Sequence, residues 1–169
     1  MKIEKLNEGD YTRVSKLLVG YWKKIGKKAS LSEAETYLLE NTSKIFVAKD
    51  NEIIGFISLY LTGDLAEIKD FVSSNNDGSW ALIEFILDYA KTNGIRKLFS
   101  LVSQSDKEFY LKNKFIEEGH LRDHFRDGED IFYMSLKFTR EKQVDLKSQL
   151  EKLDVEKKVE EKLLNLPLN

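Results

Sequence analysis

The sequence predicts one α/β (α+β) domain with a mixed, mostly antiparallel sheet flanked by helices, followed by a helical extension. Three observations lead to this fold class. Short β-rich segments alternate with helical segments over residues 1–138. One crossover, through a helix at Trp80–Thr92, allows a single parallel pair of strands. After Phe138 the composition changes to charged residues with regularly spaced leucines. The 169 residues suffice for one domain with a full core and an appendage.

The first elements are a strand, two helices and a hairpin. Met1–Leu6 alternates apolar and polar residues, as a short strand does. The first helix is expected to have Asp10 as its N-cap and to stop at Gly26. The pattern Ser32–Glu35 predicts a capping box at the start of a second helix. Two β-rich runs around Asp50-Asn51 predict a hairpin.

The second half of the domain contains the most informative stretch. A strand that runs through a loop onto a helix N-terminus is a potential anion site, because the first N–H groups of a helix are unpaired and its dipole favours negative charge. The predicted segments are a strand (Ala66–Val72), a loop (Ser73–Ser79), a helix (Trp80–Thr92), a strand (Lys97–Val102), a helix (Asp106–Lys114) and two further strands.

Composition argues against several classes of function. A net charge of −2 gives no overall field that would attract nucleic acid or an anionic membrane. The sequence has no cysteine and only two histidines, so we expect neither disulfides nor a bound metal. Residues 1–20 lack an apolar signal segment, and no apolar run is long enough to span a membrane. We therefore expect a cytoplasmic protein without nucleic-acid or membrane partners.

Residues 139–169 form the predicted helical tail. Leu146, Leu150 and Leu153 fit a heptad seam, but Lys157 and Glu160 interrupt it. The tail is expected either to pack on its own domain or to act as a dimerisation or partner arm, which leaves a homodimer through the tail open.

Four strings in residues 1–138 together resemble the GNAT superfamily of N-acetyltransferases. Ala66–Val72 is similar to the strand that receives the pantetheine arm, and Ala81–Leu98 is similar to the following helix and strand. Phe109–Phe115 resembles a Tyr-x-Lys-x-Gly-Phe motif. Gly128–Asp130, followed by Met134, resembles a string of the ribosomal-protein alanine acetyltransferases. The resemblance implies a cleft between two splayed strands in which acetyl-CoA lies.

The resemblance also implies roles for individual residues. Tyr110 matches the tyrosine that protonates the departing CoA thiolate, and Glu67 is the candidate general base, with Asp70 as the second choice. By strand alternation Glu67, Lys69 and Phe71 would share one face, opposite Asp70. The residues implied in cofactor binding are Phe71, Val72, Ser73, Asp77, Gly78, Ser79, Trp80, Ala81, Ser103 and Asp106.

The predicted phosphate loop departs from the family's Arg/Gln-x-x-Gly-x-Gly/Ala pattern. In one register Asp77 and Ser79 take the glycine positions, and in the other Gly78 fits but Trp80 takes the second. Asp77 would weaken pyrophosphate binding or simply cap the helix. Two hypotheses follow. The leading one is an acetyl-CoA-dependent N-acetyltransferase that acts, without a metal, on a primary amine, with a peptide or protein N-terminus as the first choice and a small amine as the second. The alternative is a catalytically silent binding protein with the same fold.

Overall fold

The computed structural model describes residues 1–40, 43–124 and 127–138. Its strands form one seven-stranded sheet of order β1-β2-β3-β4-β5-β7-β6. The strands are β1 (Lys2–Lys5), β2 (Lys44–Asp50), β3 (Glu52–Thr62), β4 (Leu65–Ser73), β5 (Lys97–Ser103), β6 (Ile116–Leu121) and β7 (Ile131–Lys137). Only β4 and β5 pair in parallel among these described strands. The predicted fold class is confirmed for this part of the chain, and the predicted tail at residues 139–169 lies outside the described residues.

Four α-helices accompany the sheet in the described residues. They are α1 (Tyr11–Lys24), α2 (Leu31–Glu40), α3 (Asn76–Thr92) and α4 (Gln104–Lys112). None of these helices is long and apolar enough to cross a membrane.

Each face of the sheet contributes to its own hydrophobic core. Leu82 and Ile86 of α3 pack with Ile57 and Ile68 in one core. Leu18 of α1 and other apolar residues of α1 and α2 pack in the second core with Phe56 and Val72. Burial of these apolar side chains is the main stabilising contribution to the fold.

Three predicted helix starts are corrected. The side chain of Asn75 caps α3 and accepts a hydrogen bond from Gly78 N at 2.8 Å, so α3 begins at Asn76 and not at Trp80. The capping box of α2 is formed by Ser30 and Glu33, not by Ser32 and Glu35. The fourth helix begins at Gln104 rather than Asp106.

The side chain of Asp10 also differs from its predicted role. Asp10 takes the N-cap position of α1 but makes no side-chain cap hydrogen bond. Its carboxylate instead accepts a hydrogen bond from Lys49 Nζ at 2.9 Å. A 3-10 turn at Glu8–Asp10 precedes α1, and Asn7 caps that turn.

A β-bulge in β4 changes which side chains share a face. Ile68 pairs with Leu59 and Asp70 pairs with Ser58, so Lys69 is an extra residue without a partner across β3. The extra residue reverses the alternation. Asp70 therefore lies on the same face as Glu67, and Phe71 moves to the opposite face. The predicted grouping of Glu67 with Phe71 is wrong for this reason.

Candidate active site

A cleft opens where the parallel strands β4 and β5 separate. The two strands pair only between Leu65–Ile68 and Lys97–Ser100, just before the bulge at Lys69. Beyond that point β4 continues along β3 to Ser73, while β5 continues along β7 to Ser103. The resulting cleft has a volume of about 600 Å³, which is within the range of small-molecule sites.

Two helix N-termini border this cleft, because each of the parallel strands leads directly into a helix. Ser79 of α3 and Ser105 of α4 lie in the first turns of their helices and line the cleft. Ligands of open α/β sheets bind at the carboxyl ends of parallel strands for this reason, and helix N-termini there attract anions.

The cleft brings together seven of the twelve predicted site residues. Those that line it are Phe71, Val72, Ser73, Ser79, Ser103, Asp106 and Tyr110. Glu67, Asp77, Gly78, Trp80 and Ala81 are outside its lining.

Tyr110 lies at the inner end of the cleft and is only 3% exposed. Its ring packs edge-on against Phe71 and Phe115. Its hydroxyl is 3.5 Å from Ser100 Oγ, which itself donates to the carbonyl oxygen of Ile68 at 3.0 Å. A distance of 3.5 Å makes the Tyr110–Ser100 contact a weak hydrogen bond. The phenol is thus fixed by packing while its O–H can turn to a better acceptor in the cleft.

Burial raises the pKa of Tyr110 above its ordinary value, and the charge of Asp106 adds to the effect. The phenol is therefore protonated throughout the neutral range. It can donate a hydrogen bond to an anion that forms beside it.

Hydrogen bonds to Asn75 already satisfy part of the first turn of α3, which the sequence predicts as a phosphate-binding loop. Asn75 accepts from Gly78 N through its side chain and from Ser79 N through its carbonyl oxygen at 3.2 Å. Ser73 Oγ donates to the same carbonyl oxygen at 2.7 Å. The N–H groups of Asn76 and Asp77 are the remaining first-turn donors. Any anion at this helix end would be bound there rather than at Gly78.

Gly78 is explained by packing. A Cβ on Gly78 would lie 2.6 Å from Ser73 Oγ and 3.2 Å from the side-chain oxygen of Asn75. The glycine thus allows α3 to start close to the end of β4. This constraint operates without any ligand.

Aromatic rings form the wall of the cleft near α3. Phe71 stacks on Phe109 at a ring separation of 5.4 Å, and Trp80 packs against Phe109 at 5.3 Å. Trp80 is 41% exposed, whereas the second tryptophan, Trp22, is buried. The exposed indole thus stands next to a ring that lines the cleft.

Ser103 and Asp106 form a small hydrogen-bonded group at the start of α4. Ser103 Oγ donates to the Asp106 carboxylate at 2.8 Å and is also 2.8 Å from Ser105 Oγ. Ser103 takes the N-cap position without a side-chain cap bond. The N-terminal turn of α4 therefore presents hydroxyl groups and one carboxylate to the cleft.

Glu67 and Asp70 lie on the face of the sheet that α1 and α2 cover. Asp70 is 7% exposed and accepts hydrogen bonds from Ser58 Oγ at 2.6 Å and from the Tyr37 hydroxyl at 3.0 Å. Burial raises the pKa of Asp70, and these hydrogen bonds oppose the rise. Burial and then the charge of Asp70, with a smaller effect of Glu67, raise the pKa of Tyr37. The charges of Asp70 and Glu67 therefore both contribute to the raised pKa of Tyr37.

The sequence interpretation missed the wall that α1 contributes. The α1 residues that line the cleft include Lys16, Gly20, Tyr21 and Lys24, and Lys69 of the bulge lines it as well. The spacing of four residues between Lys16, Gly20 and Lys24 does indicate one helix stripe. Nothing in the sequence, however, directs that stripe toward a ligand.

Comparison with known proteins identifies the fold through structure alone. The sequence matches no protein-family model and no curated protein. Solved structures do match. A ribosomal-protein-alanine N-acetyltransferase from Brucella melitensis superposes with a TM-score of 0.70 at 13% identity, over 82% of this chain and 100% of that one.

Two further structures extend this similarity. An aminoglycoside 6'-N-acetyltransferase in complex with coenzyme A has a TM-score of 0.69 at 16% identity, over 81% of this chain and 97% of that one. A spermidine/spermine N-acetyltransferase from Vibrio cholerae has a TM-score of 0.63 at 23% identity, over 80% of this chain and 93% of that one. The described domain therefore has the GNAT fold.

Proposed function

We propose that this chain, which has the GNAT fold, is an acetyl-CoA-dependent N-acetyltransferase that acetylates a primary amine by direct attack. The observation that carries the proposal is Tyr110, a buried phenol with only a weak hydrogen-bond partner, at the inner end of the β4–β5 cleft. The neighbours' names support the reaction class, since they act on a ribosomal protein, aminoglycosides or polyamines, all of which carry amines.

The cleft fits acetyl-CoA as a substrate in two respects. Its volume of about 600 Å³ accommodates the acyl end and part of the pantetheine arm. The separated edge of β4 at Phe71–Ser73 offers backbone groups to the pantetheine amides, and the α3 N-terminus offers the N–H groups of Asn76 and Asp77 to phosphate oxygens. The predicted use of Gly78 N for phosphate competes with its hydrogen bond to Asn75.

The reaction proposed for this cleft needs one proton removed and one thiolate stabilised. The neutral amine nitrogen forms a bond to the thioester carbonyl carbon, and the carbon–sulfur bond breaks. Tyr110 donates its proton to the departing thiolate, which leaves as the thiol. The resulting phenolate then takes a proton from solvent before the next turnover. The attacking nitrogen releases its proton to Glu67. Because Glu67 is half-buried and does not line the cleft, this proton passes through water.

The alternative function is a silent binding protein with the same fold. The observation that favours it is the capped first turn of α3, in which the Asn75 side chain occupies the Gly78 N–H that a pyrophosphate would otherwise use. The transferase would acetylate an amine and the silent protein would not, whereas both would bind their ligand in the same cleft.

A thermal-shift titration with acetyl-CoA and CoA tests both proposals. A ligand at about 100 times its dissociation constant adds about 2.7 kcal/mol to the free energy of unfolding, which corresponds to roughly 5–10 °C for a chain of this size. No shift at millimolar acetyl-CoA would overturn the assignment of the cofactor. A shift without acetylation of any amine would favour the silent protein.

Replacement of Tyr110 tests the chemical step. Tyr110→Phe should lower kcat by about 100-fold, because an acid–base group contributes on the order of 10²–10⁴-fold, and should leave acetyl-CoA binding nearly unchanged. Tyr89→Phe is the matched control, since Tyr89 lies on α3 and its hydroxyl contacts Lys44 rather than the cleft. Equal activity of the two variants would remove Tyr110 from the mechanism.

A further inference from the structure

Three lysines make the cleft locally positive. Lys16 and Lys24 line it from α1, and Lys69 lines it from the bulge of β4. All three side chains are exposed, and none takes part in an ion pair between described residues. Asp106 is the one acidic residue among the described residues that line the cleft, and Ser103 already donates to it.

Several lysines outside the cleft are paired with carboxylates, although others, such as Lys5 and Lys23, are in no ion pair between described residues. Lys49 is paired with Glu4 and Asp10, Lys107 with Glu117 and Lys112 with Glu108. The whole chain has a net charge of −2. An excess of positive charge in the cleft of an acidic protein creates a local field that concentrates anions there.

The lysines of α1 line the same cleft as the first turns of α3 and α4. The wall formed by α3 and α4 already offers N–H groups and hydroxyls to an anion, so phosphates of the acyl donor have a site on that side. Tyr21 of α1 lines the same cleft as Tyr110. The charge of Asp106 contributes to the raised pKa of both phenols. The wall of α1 and the phenol proposed to react therefore belong to one cleft.

We propose, on the premise of the acetyl transfer above, that the acceptor is a primary amine that also carries an anionic group, a carboxylate or a phosphate. Lys16 and Lys24 bind this anion, while the amine points toward Tyr110. A polyamine or an aminoglycoside would bring several positive charges against the same lysines. The cleft thus selects against the cationic acceptors named for some proteins of this fold.

Matched acceptor pairs test the proposal. Alanine is compared with alaninamide, and phosphoethanolamine with ethanolamine, and spermidine serves as the polycation. Both acetylation rates and calorimetric binding in the presence of CoA are measured. We expect kcat/KM and affinity to be about 10-fold higher for the anionic member of each pair, and the preference to weaken as salt is raised.

Variants of the α1 wall locate the effect. Lys16→Gln/Lys24→Gln should bring the ratio of kcat/KM between the anionic and the neutral member of each pair close to one. Lys23→Gln is the matched control, because Lys23 is exposed on the same helix but does not line the cleft. Melting temperatures of all variants verify that they fold.

The outcomes separate this inference from the proposed function. Preference for spermidine, or equal use of both members of each pair, overturns the inference while acetyl transfer stands. A higher KM for acetyl-CoA with a neutral amine in the double variant also overturns it, because the lysines would then bind the donor's phosphates. Tight binding of the anionic members without any acetylation supports the inference about the ligand and overturns the transferase.

Discussion

At the scale of single residues, the buried carboxyl of Asp70 has the clearest consequence for stability. Burial raises its pKa in the folded protein, whereas an unfolded Asp titrates near pH ~3.9. The protonated form is favoured by folding, so its stabilising contribution is complete below about pH 4 and is lost as the pH rises through the folded pKa. In that window the free energy of unfolding falls by about 1.4 kcal/mol per pH unit.

Asp70→Asn should remove this pH dependence, because the amide is uncharged and keeps an oxygen for the Tyr37 hydroxyl. Urea unfolding of both proteins between pH 4 and 8 measures the difference. We expect the variant to gain stability relative to the native protein as the pH rises. Asp88→Asn is the control, since the Asp88 side chain is 83% exposed. A constant difference between native protein and Asp70→Asn across this range would contradict the prediction.

Gly78 gives a second prediction at the residue scale. A Cβ would meet Ser73 Oγ at 2.6 Å. Gly78→Ala should therefore lower the free energy of unfolding by about 1–2 kcal/mol, although alanine favours a helix over glycine by about 1 kcal/mol. Ser73→Ala removes the clashing oxygen and should recover most of that loss in the double variant.

Gly20→Ala is the matched control for Gly78→Ala. Gly20 lies inside α1, and a Cβ there would meet nothing within 4 Å. The substitution should stabilise the protein by about 0.5–1 kcal/mol, as helix propensity alone requires. Thermal or urea unfolding measures the change in the free energy of unfolding for both variants. If Gly20→Ala and Gly78→Ala changed it in the same direction, the packing argument would be contradicted.

At the scale of elements, the start of α2 shows how a correct motif can be placed in the wrong register. Ser30 and Glu33 satisfy the capping-box pattern as well as Ser32 and Glu35 do, so spacing alone cannot choose. The structure forms the box with Ser30, whose backbone N–H donates to Glu33 Oε2 at 2.6 Å. Ser30→Ala should destabilise the protein by about 1 kcal/mol, and Ser32→Ala should have almost no effect. Urea unfolding measures the loss of stability in the two variants. A larger loss in Ser32→Ala than in Ser30→Ala would contradict this prediction and favour a capping box formed by Ser32 and Glu35.

The start of α3 was misplaced for a related physical reason. Residues 74–77 are Ser-Asn-Asn-Asp, and each of these types is a good N-cap. The choice of Asn75 depends on tertiary packing, since Ser73 and Gly78 must approach each other at the end of β4. The segment Ser73–Ser79, which the sequence predicts as a phosphate loop, therefore lies mostly in the capped first turn of α3.

At the scale of the whole molecule, periodicity and turn chemistry are enough to predict the order of the elements and one parallel pair, but not the strand order of the sheet. The hairpin at Asp50-Asn51, the helix that crosses from β4 to β5 and the single parallel pair are confirmed. The bulge at Lys69 does leave a trace in the sequence, because the alternation breaks there: two polar residues, Lys69 and Asp70, precede two apolar ones, Phe71 and Val72. Strict strand alternation ignores this break. The sequence does not predict the wall of α1, because α1 and α4 are far apart along the chain and only the structure shows that they line the same cleft. Periodicity thus predicts elements, while the site depends on how they separate and face each other.

Ligand protection over the whole domain provides the last prediction. Hydrogen–deuterium exchange at short times reports local opening, and a bound ligand slows it where contacts form. Saturating CoA should protect peptides that cover residues 69–81 and 100–110, which contain the separated strand ends and both helix N-termini. Peptides from the hairpin at residues 44–54 belong to strands β2 and β3 away from the cleft and should change little. Protection confined to that hairpin, or absent at 69–81, would place the ligand outside the β4–β5 cleft, because its first contacts there must involve the end of β4.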